Sequence, residues 1–437
     1  MTSRFSTDSS AESFTAFDAF GLHDALLSAL RATGYTKPTP VQSAAIPAAM
    51  QGADLVVSSA TGSGKTAAFV LPLLHRLASS DSRAVAGHGP RVLVLTPTRE
   101  LALQVARACD SYGKALSWLR TATVVGGVPY GAQLRALRGP VDVLIGTPGR
   151  LLDLLNGGRL SLGRVEVLVL DEADRMLDMG FVEDIEAIAG ATPSARQTLL
   201  FSATLDGRTE RLAGDLTDSP RRLAIATSRE PQGCITQRLH WADNRSHKQA
   251  LLDRLLLDTT IDQAIVFTAT QLDAEALANA LASAGHPAAA LHGGMPQGQR
   301  NRTMTALRQR RLRVLVATDV AARGIDVATV THVINYGLPL RAEDYVHRIG
   351  RTGRAGRQGL AVTLAEHSEA PRIRSIERFT RQAIPVATLA GLEPRRAVAP
   401  AGHSAAQPSA RGVRRSQSER TGFERNRGRN AARAAGR

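Results

Sequence analysis

The sequence predicts an α/β protein built from two tandem parallel sheets, each covered by helices on both faces. Short apolar runs of strand length alternate with longer stretches typical of helices, and this alternation occurs twice along the chain. Between the two series lies a polar, turn-rich segment at 228–233, which indicates a linker. With 437 residues and a hydrophobic content of 43%, the chain is large enough for about two to three domains with buried cores.

Each series contains five predicted strands. The first series covers 54–58, 92–95, 142–145, 165–170 and 198–201, with helices predicted at 67–77 and 101–116. The second series covers 264–267, 288–291, 314–317, 330–334 and 360–364, with helices predicted at 273–283 and 300–309. The predicted domains are therefore 15–227 and 237–387, with a linker at 228–236 and disordered segments at 1–14 and 388–437.

A polar segment from Ser59 to Thr66 directly follows the first predicted strand. Its glycines allow backbone N–H groups to curl around phosphate oxygens, and the helix after it presents the positive end of its dipole. Lys65 is suited to reach the outer phosphates and Thr66 to ligate Mg²⁺. The predicted phosphate-binding residues are Thr61, Gly62, Ser63, Gly64, Lys65 and Thr66.

An acidic segment, Asp171 to Asp174, follows the predicted strand 165–170. Parallel sheets bind ligands at the carboxyl ends of their strands, so we expect these carboxylates near the phosphate loop. Asp171 is suited to hold the metal, and Glu172 is suited to orient and deprotonate the attacking water. The two segments together predict a nucleoside triphosphatase. The alternative is a glycine turn that caps an ordinary helix, with an acidic loop on a solvated edge.

The charge of the chain favours a polyanionic partner over an acidic small molecule. Fifty-four Lys and Arg against 39 Asp and Glu give a net charge of +15. Residues 392–437 contain 11 Arg and 3 Glu, so this tail alone contributes +8. Its mixture of Ala, Gly, Ser and Pro lacks apolar periodicity, and we expect a disordered arm for nucleic-acid phosphates. The alternative is a solubilising tail.

Cysteine usage and the N-terminus indicate an intracellular protein. Cys109 and Cys234 are the only cysteines in the sequence, which argues against both a disulfide framework and a cysteine metal site. The first 12 residues are Ser-rich and lack both a basic flank and an apolar core, so no secretory signal is visible. We expect a soluble protein in a reducing cytoplasm.

Further motifs follow the predicted strands in a fixed order. They are Pro97-Thr98-Arg99-Glu100-Leu101-Ala102, Thr147-Pro148-Gly149-Arg150, Ser202-Ala203-Thr204, Phe267-Thr268-Ala269-Thr270, His292 to Arg300, Ala317 to Asp326 and His347 to Arg354. With the phosphate loop and Asp171-Glu172-Ala173-Asp174, this order closely resembles the DEAD-box RNA helicases, in a bacterial type with a short basic tail. The resemblance runs from about Phe17 to about Ile384 and implies two RecA-like domains.

For the nucleotide, the resemblance implies ATP with Mg²⁺. Gln42 matches the adenine-reading position, where an amide pairs with N6 and N7, and Phe17 matches a residue that stacks on the ring. The alternative for such residues taken individually is a helix cap at Thr39 and a core phenylalanine, so ATP selectivity rests on the resemblance rather than on spacing. The resemblance places Asp326 on the ribose. Arg351 and Arg354 match guanidinium groups that cross to the γ-phosphate when the cleft closes.

For RNA, the resemblance implies contacts to the sugar-phosphate backbone, which carry no base-specific code. The matching residues are Pro97, Arg99, Gly127, Thr147, Gly149, Arg150, Arg300, Thr318 and Gly324. Further residues match groups that link the ATP state to the RNA state: Asp174, Ser202, Thr204 and His347. The alternative is that these arginines are ordinary surface residues and that His347 and Ser202 are packed polar residues without a coupling role.

The resemblance predicts an ATP-dependent RNA helicase that opens short duplexes locally and remodels RNA–protein complexes, as a monomer in ribosome assembly or RNA decay. The alternatives are an ATP-gated RNA clamp with little unwinding and a DNA translocase. Ser59, Gly294 and Gly337 depart from the usual family residues, and none of them removes a catalytic group.

Overall fold

Two parallel β-sheets, one in each half of the chain, organise the structure. The computed structural model describes residues 17–59, 62–80, 89–225, 235–322, 327, 329–353 and 357–395. This confirms the prediction of an α/β protein with two parallel-sheet domains.

Seven strands form the N-terminal sheet: β1 Leu55–Ser58, β2 Val92–Leu95, β3 Thr121–Val124, β4 Val143–Gly146, β5 Val167–Asp171, β6 Gln197–Ser202 and β7 Arg221–Ala224. Their order is β3-β4-β2-β5-β6-β1-β7, and each neighbouring pair is parallel. The helices are α1 Asp24–Ala32, α2 Pro40–Met50, α3 Lys65–Ser79, α4 Arg99–Tyr112, α5 Tyr130–Leu137, α6 Pro148–Asn156, α7 Ala173–Asp178, α8 Val182–Gly190 and α9 Gly207–Leu216. A 3₁₀ turn at Phe17–Phe20 precedes them.

The core of this domain lies on both faces of the sheet. Side chains alternate along each strand, so Val169 packs into the cluster on one face and Leu168 and Leu170 pack into the cluster on the other. All five residues of β5 are buried. A strand that is covered on both faces has apolar residues at successive positions, so its sequence forms a continuous apolar run. The central strands could be predicted for this reason.

Six strands form the C-terminal sheet: β8 Ile235–Ala242, β9 Gln263–Phe267, β10 Ala288–Leu291, β11 Val314–Ala317, β12 Val330–Asn335 and β13 Gly359–Glu366. Their order is β10-β11-β9-β12-β13-β8, again parallel throughout. The helices are α10 Arg245–Leu256, α11 Gln271–Ser283, α12 Gln297–Arg308, α13 Asp319–Ala322, α14 Ala342–Ile349 and α15 Ala370–Thr380, with a 3₁₀ turn at His367–Glu369.

Three strands were not predicted, and all three lie at sheet edges. They are β3 and β7 in the first sheet and β8 in the second. β7 is mostly exposed and begins with Arg221 and Arg222, and β8 includes the polar residues Gln237, Arg238 and His240. Exposure explains the polar sequence of β7, whereas in β8 the buried polar residues Gln237 and His240 interrupt the apolar run.

Two predicted boundaries also differ from the structure. The strand β8 begins at Ile235, inside the predicted linker, while residues 226–234 lie outside the described residues. Residues 388–395 were assigned to the disordered tail, but Leu389 and Leu392 pack against the core of the second domain. The N–H of Arg395 also donates to Asp243 at 3.0 Å. The predicted C-terminal boundary of the second domain, at residue 387, was therefore wrong by eight residues. The predicted disordered segment 1–14 and residues 396–437 of the predicted tail lie outside the described residues.

Within the described part of the chain, no helix combines the length and the apolar character needed to span a bilayer.

Cys109 is a free thiol buried in the first domain, and burial raises its pKa to about 12. A thiol in this state is a poor nucleophile at neutral pH. Cys234 lies outside the described residues.

Replacing Leu168 by Ala should lower the free energy of unfolding of the first domain by about 2–5 kcal/mol, because the side chain is fully buried in the sheet. Urea unfolding followed by the fluorescence of Trp118, in a background that carries Trp241→Phe, measures this domain. The matched control is Arg107→Ala, since Arg107 is exposed on α4 of the same domain and should change stability by no more than about 0.5 kcal/mol. Equal effects of the two substitutions would contradict this description of the core.

Candidate nucleotide and RNA sites

The strands β5, β6 and β1 lie side by side, and their carboxyl ends are aligned. Ser58 at the end of β1 pairs with Ser202 of β6, and Asp171 at the end of β5 pairs with Phe201. The phosphate loop, the acidic segment and the Ser-Ala-Thr motif each begin at one of these ends. The fold therefore brings together three motifs that are far apart in the sequence.

The phosphate loop connects β1 to α3. Gly62 and Gly64 have φ angles of +81° and +93°, in the left-handed region that a side chain disfavours. The Lys65 ammonium is buried and donates to the Ser59 carbonyl at 2.6 Å, and Ser59 and Ser63 share a hydroxyl hydrogen bond at 2.6 Å. The N–H groups of the first turn of α3 are available to an anion.

An open cleft of about 1860 Å³ lies in front of this loop, and both domains line it. The first domain contributes Gln42, Gly62, Gly64, Lys65, Thr66, Asp171 and Glu172. The second domain contributes Ile235, Gly350, Arg351, Thr352 and Gly353. The structure thus brings together the described residues that were predicted to bind phosphate and metal, together with one predicted arginine of the second domain.

Asp171 is an unusual carboxyl group because it is almost fully buried. Burial, and after it the neighbouring Glu172 carboxylate, raise its pKa to about 7 against the opposing effect of Lys65. A carboxyl group whose charge is disfavoured in this way gains from a cation beside it. The site therefore suits Mg²⁺, for which oxygen ligands are preferred.

Glu172 has φ +55° and ψ +53° and directly precedes α7. A left-handed conformation is uncommon for a residue with a long side chain, and such residues cluster at functional sites. Because Glu172 lines the cleft next to Asp171, it is available to act on a molecule bound there.

Asp174 connects the acidic segment to the Ser-Ala-Thr motif. Its Oδ2 accepts hydrogen bonds from the N–H groups of Ala203 at 3.2 Å and Thr204 at 3.0 Å, and from the Thr204 hydroxyl at 3.1 Å. The N–H of Asp174 donates to Ser202 Oγ at 3.4 Å. These bonds hold both motifs as one unit, so a shift of either motif must move the other.

The two residues predicted to read adenine have structural roles here. Gln42 Oε1 accepts from the Thr39 N–H at 3.0 Å, and its Nε2 donates to the Gly64 carbonyl at 3.1 Å. Phe17 is 3% exposed and packs edge-on against Phe20, with ring centroids 5.9 Å apart. Gln42 lines the cleft, as does Tyr35, which the sequence did not single out. Adenine recognition stays a prediction.

Arg351 reaches the cleft from the end of α14. Its Nε donates to the His347 carbonyl at 3.0 Å. Both residues also line a small cavity with Arg175, Asp344 and Arg348. Within the described part of the chain, Nδ1 of His347 is buried without a hydrogen-bond partner.

Four other predicted residues lie outside the described residues: Thr61, Gly324, Asp326 and Arg354.

A buried ion pair joins the domains. Arg175 of α7 donates from Nη1 to Oδ1 of Asp344 in α14, with both side chains at most 10% exposed. Arg175 also lies 3.7 Å from Asp178, which accepts in turn from Arg341 of the second domain. The helix that follows the acidic motif is therefore linked directly to the helix that carries His347.

The predicted RNA residues of the first domain form one group. A Cβ on Gly127 would lie only 2.2 Å from Nη1 of Arg99, so this loop needs glycine for the guanidinium to approach. Arg150 donates to the Val128 carbonyl at 3.2 Å. The same group includes Pro97 at the start of the α4 turn and Thr147 and Gly149 at the start of α6.

The predicted RNA residues also form contacts between the domains. Arg99 Nη1 donates to Gln297 Oε1 at 2.6 Å. Arg300 donates from Nε and Nη2 to Glu100 Oε1 at 3.0 and 2.6 Å, and from Nη1 to the His292 carbonyl at 2.8 Å. Thr318 is 8% exposed at the end of β11. RNA contact stays a prediction for each of these residues.

Sequence reasoning missed the residues that hold the motifs in place. Arg348 is 2% exposed, donates to both carboxylate oxygens of Asp319 at 2.5 and 2.7 Å, and lies 4.9 Å from the Phe267 ring centroid. Arg348 lies in a motif that the sequence analysis identified, so its burial could have been suspected. Arg175 and Asp344 are 169 positions apart, and no local pattern connects them.

Two parallel-sheet domains that share one cleft, with a phosphate loop on the first and an arginine on the second, define a helicase-type nucleoside triphosphatase. Comparison with known proteins agrees. The family model described as DEAD/DEAH box helicase matches residues 39–212, and the Helicase conserved C-terminal domain matches residues 247–356.

The ATP-dependent RNA helicase SrmB of Haemophilus influenzae is 44% identical over 384 residues, which cover 87% of this chain and 86% of that protein. SrmB of Escherichia coli is 42% identical over 87% of this chain and 85% of its own length. The structure of S. cerevisiae Dbp5 bound to RNA and ADP BeF3 is similar with a TM-score of 0.77 and 31% identity, covering 85% of this chain and 95% of that one. The chain belongs to the DEAD-box family of ATP-dependent RNA helicases and is an ATP-hydrolysing enzyme.

Replacing Arg175 by Met, or Asp344 by Leu, should raise the RNA concentration needed for half-maximal ATPase activity by about tenfold or more, because each change breaks the buried ion pair that joins the domains. The double substitution should be less harmful than the sum of the two, since it removes both charges. RNA-titrated ATPase rates measure this. The control is Arg208→Gln, which removes a more exposed pair with Asp178 and should matter less than about twofold. Strict additivity would contradict the pairing.

Proposed function

We propose that this DEAD-box protein hydrolyses ATP in response to RNA, and that hydrolysis drives local, non-processive opening of short RNA duplexes and remodelling of RNA–protein complexes. The observation that carries the proposal is the shared cleft. Lys65 and Glu172 line it from the first domain and Arg351 from the second. An active site that needs both domains is complete only while they are in contact.

In this proposal the triphosphate lies against the phosphate loop, with Lys65 on the outer phosphates. Thr66 and Asp171 would hold Mg²⁺, which would supply positive charge to the phosphate oxygens. Glu172 accepts a proton from the attacking water. Arg351, together with Arg354, stabilises the negative charge that spreads over the transferred phosphoryl group. Gln42 and Phe17 select adenine, and Asp326 contacts the ribose.

RNA controls this reaction through the contacts between the domains. Pro97, Arg99, Gly127, Thr147, Gly149 and Arg150 bind one part of the strand's backbone, and Arg300, Thr318 and Gly324 bind the next part. RNA that contacts both groups holds the domains together. The bonds of Asp174 to Ser202 and Thr204, with His347 across the boundary, transmit the nucleotide state.

Binding is independent of RNA sequence, because the contacts are to phosphates and sugars. The strand bends in the closed cleft, which opens an adjacent short duplex, and hydrolysis resets the enzyme for release. The basic tail raises the local concentration of structured RNA. The enzyme acts as a cytoplasmic monomer, and ribosome assembly and RNA decay are processes that need this activity.

Replacing Glu172 by Gln should lower the rate of RNA-stimulated ATP hydrolysis about 10²- to 10⁴-fold, because the amide cannot accept the proton of the attacking water. Affinity for ATP should be unchanged, as measured by a fluorescent ATP analogue. The matched control is Glu183→Gln, an exposed residue of α8, which should hydrolyse ATP like the unmodified protein. Undiminished turnover in the Glu172 variant would exclude this residue as the base.

Strand displacement should fall steeply as an RNA duplex is lengthened, because each binding event opens only a few base pairs. The measurement compares RNA duplexes of increasing length with DNA duplexes of the same sequence. Processive opening of long DNA would indicate a translocase instead. RNA-stimulated ATPase activity without any strand displacement would indicate a clamp.

A further inference from the structure

The outer edge of the second domain has an unusual distribution of charge. Between Glu275 and Asp319 the sequence has no acidic residue, but it has six arginines: Arg300, Arg302, Arg308, Arg310, Arg311 and Arg313. These residues belong to α12, to the turn after it and to the start of the segment that enters β11. α12 packs beside β10, the strand at the edge of the sheet.

α12 presents two different faces. Arg300, Met304 and Leu307 are buried on the inner face, and Arg300 pairs there with Glu100 of the first domain. Arg302 is two positions from Arg300, which is about 200° around a helix, so it lies on the opposite face. Arg302 and Thr305 are exposed. The outer face therefore does not contribute to the contact between the domains.

The turn after α12 completes a shallow groove. Arg310 takes the left-handed conformation and pairs with Asp262 at 3.4 Å, and Arg313 donates to the carbonyls of Ile261 and Asp258. These two arginines thus have partners within the domain. Arg311 is exposed, and among the described residues its hydrogen-bond partner is a neutral group, Gln309. Together with the outer face of α12 it lines a groove formed by Asn301, Arg302, Thr305, Ala306 and Arg311, here named the basic edge.

The composition of the basic edge favours a phosphate backbone over a protein partner. It offers two guanidinium groups, an amide and a hydroxyl, which are all donors to phosphate oxygens. Within the described residues, no carboxylate forms an ion pair with Arg302 or Arg311. Ala306 and the aliphatic stems of the two arginines form the rest of the groove, and its described lining includes none of the large apolar and aromatic side chains in which the core of a protein interface is rich.

We propose that the basic edge binds the phosphates of RNA outside the cleft, on the flank of the strand that the two domains hold. This rests on the proposed function. Gln297 and Arg300 of α12 contact the first domain beside the predicted RNA residues, and the helix extends about 16 Å from there. A strand that leaves the cleft along α12 reaches the groove within two or three phosphates.

The test uses the full chain with Arg302→Gln and Arg311→Gln combined. Binding of a fluorescent RNA of about 30 nucleotides and of one of about 8 nucleotides is measured with a non-hydrolysable ATP analogue over a range of salt. We expect about tenfold weaker binding of the long RNA, with a salt slope that is smaller by about 1.4. Binding of the short RNA and the ATPase rate at saturating RNA should be unchanged within about twofold.

Two control variants test charge and position. Arg302→Lys with Arg311→Lys keeps both charges and should bind the long RNA normally. Arg372→Gln with Arg374→Gln removes two exposed charges from α15, near the other edge of the sheet, and should also bind it normally. Both are checked for unchanged thermal unfolding.

The outcomes separate this proposal from the proposed function. If RNA does not stimulate ATP hydrolysis by the unmodified protein, the proposed function itself fails. If stimulation is normal but the Gln variant binds the long RNA as tightly as the unmodified protein, the basic edge does not bind RNA, and an acidic protein becomes the partner to seek. Equal losses on short and long RNA, or an equal loss in the α15 variant, would also overturn the proposal.

Discussion

The parallel arrangement of the strands is the constraint on which the rest of the structure depends. Because all strands of a sheet run the same way, every connection at one end of the sheet follows a carboxyl terminus. The order β5-β6-β1 then places the acidic segment, the Ser-Ala-Thr motif and the phosphate loop next to each other. The bonds from Asp174 to Thr204 depend on this adjacency, and so does the burial of Asp171 close to Lys65.

The contact between the domains is largely polar. It includes the pairs of Arg175 with Asp344 and of Arg300 with Glu100, and the hydrogen bond between Arg99 and Gln297. An apolar interface of similar size would be costly to expose to water, whereas charged groups regain hydration when they separate. The interface is therefore suited to repeated opening and closing, which the proposed function requires.

The sequence predicted the features that depend on local patterns. The central strands appear as apolar runs, and the catalytic motifs lie directly after them. The edge strands β3 and β7 were missed because partial exposure permits polar residues such as Arg221, and β8 was missed because the buried polar residues Gln237 and His240 interrupt its apolar pattern. The pair of Arg300 with Glu100 joins positions 200 residues apart, so only the fold reveals it. Gln42 and Phe17 were matched to adenine, but their contacts with Gly64 and Phe20 depend on three-dimensional packing.

The ionic contacts at the domain boundary have a consequence for the dependence of this enzyme on ionic strength. Added electrolyte screens attraction between exposed charges, and part of this boundary is exposed, as at Arg341, which is 49% accessible. Salt therefore weakens RNA attachment directly and also favours the separated arrangement of the domains. The salt dependence of activity therefore includes charges at the domain boundary as well as those that contact phosphate. The number of bound nucleotides calculated from the slope of activity against salt concentration is consequently too high.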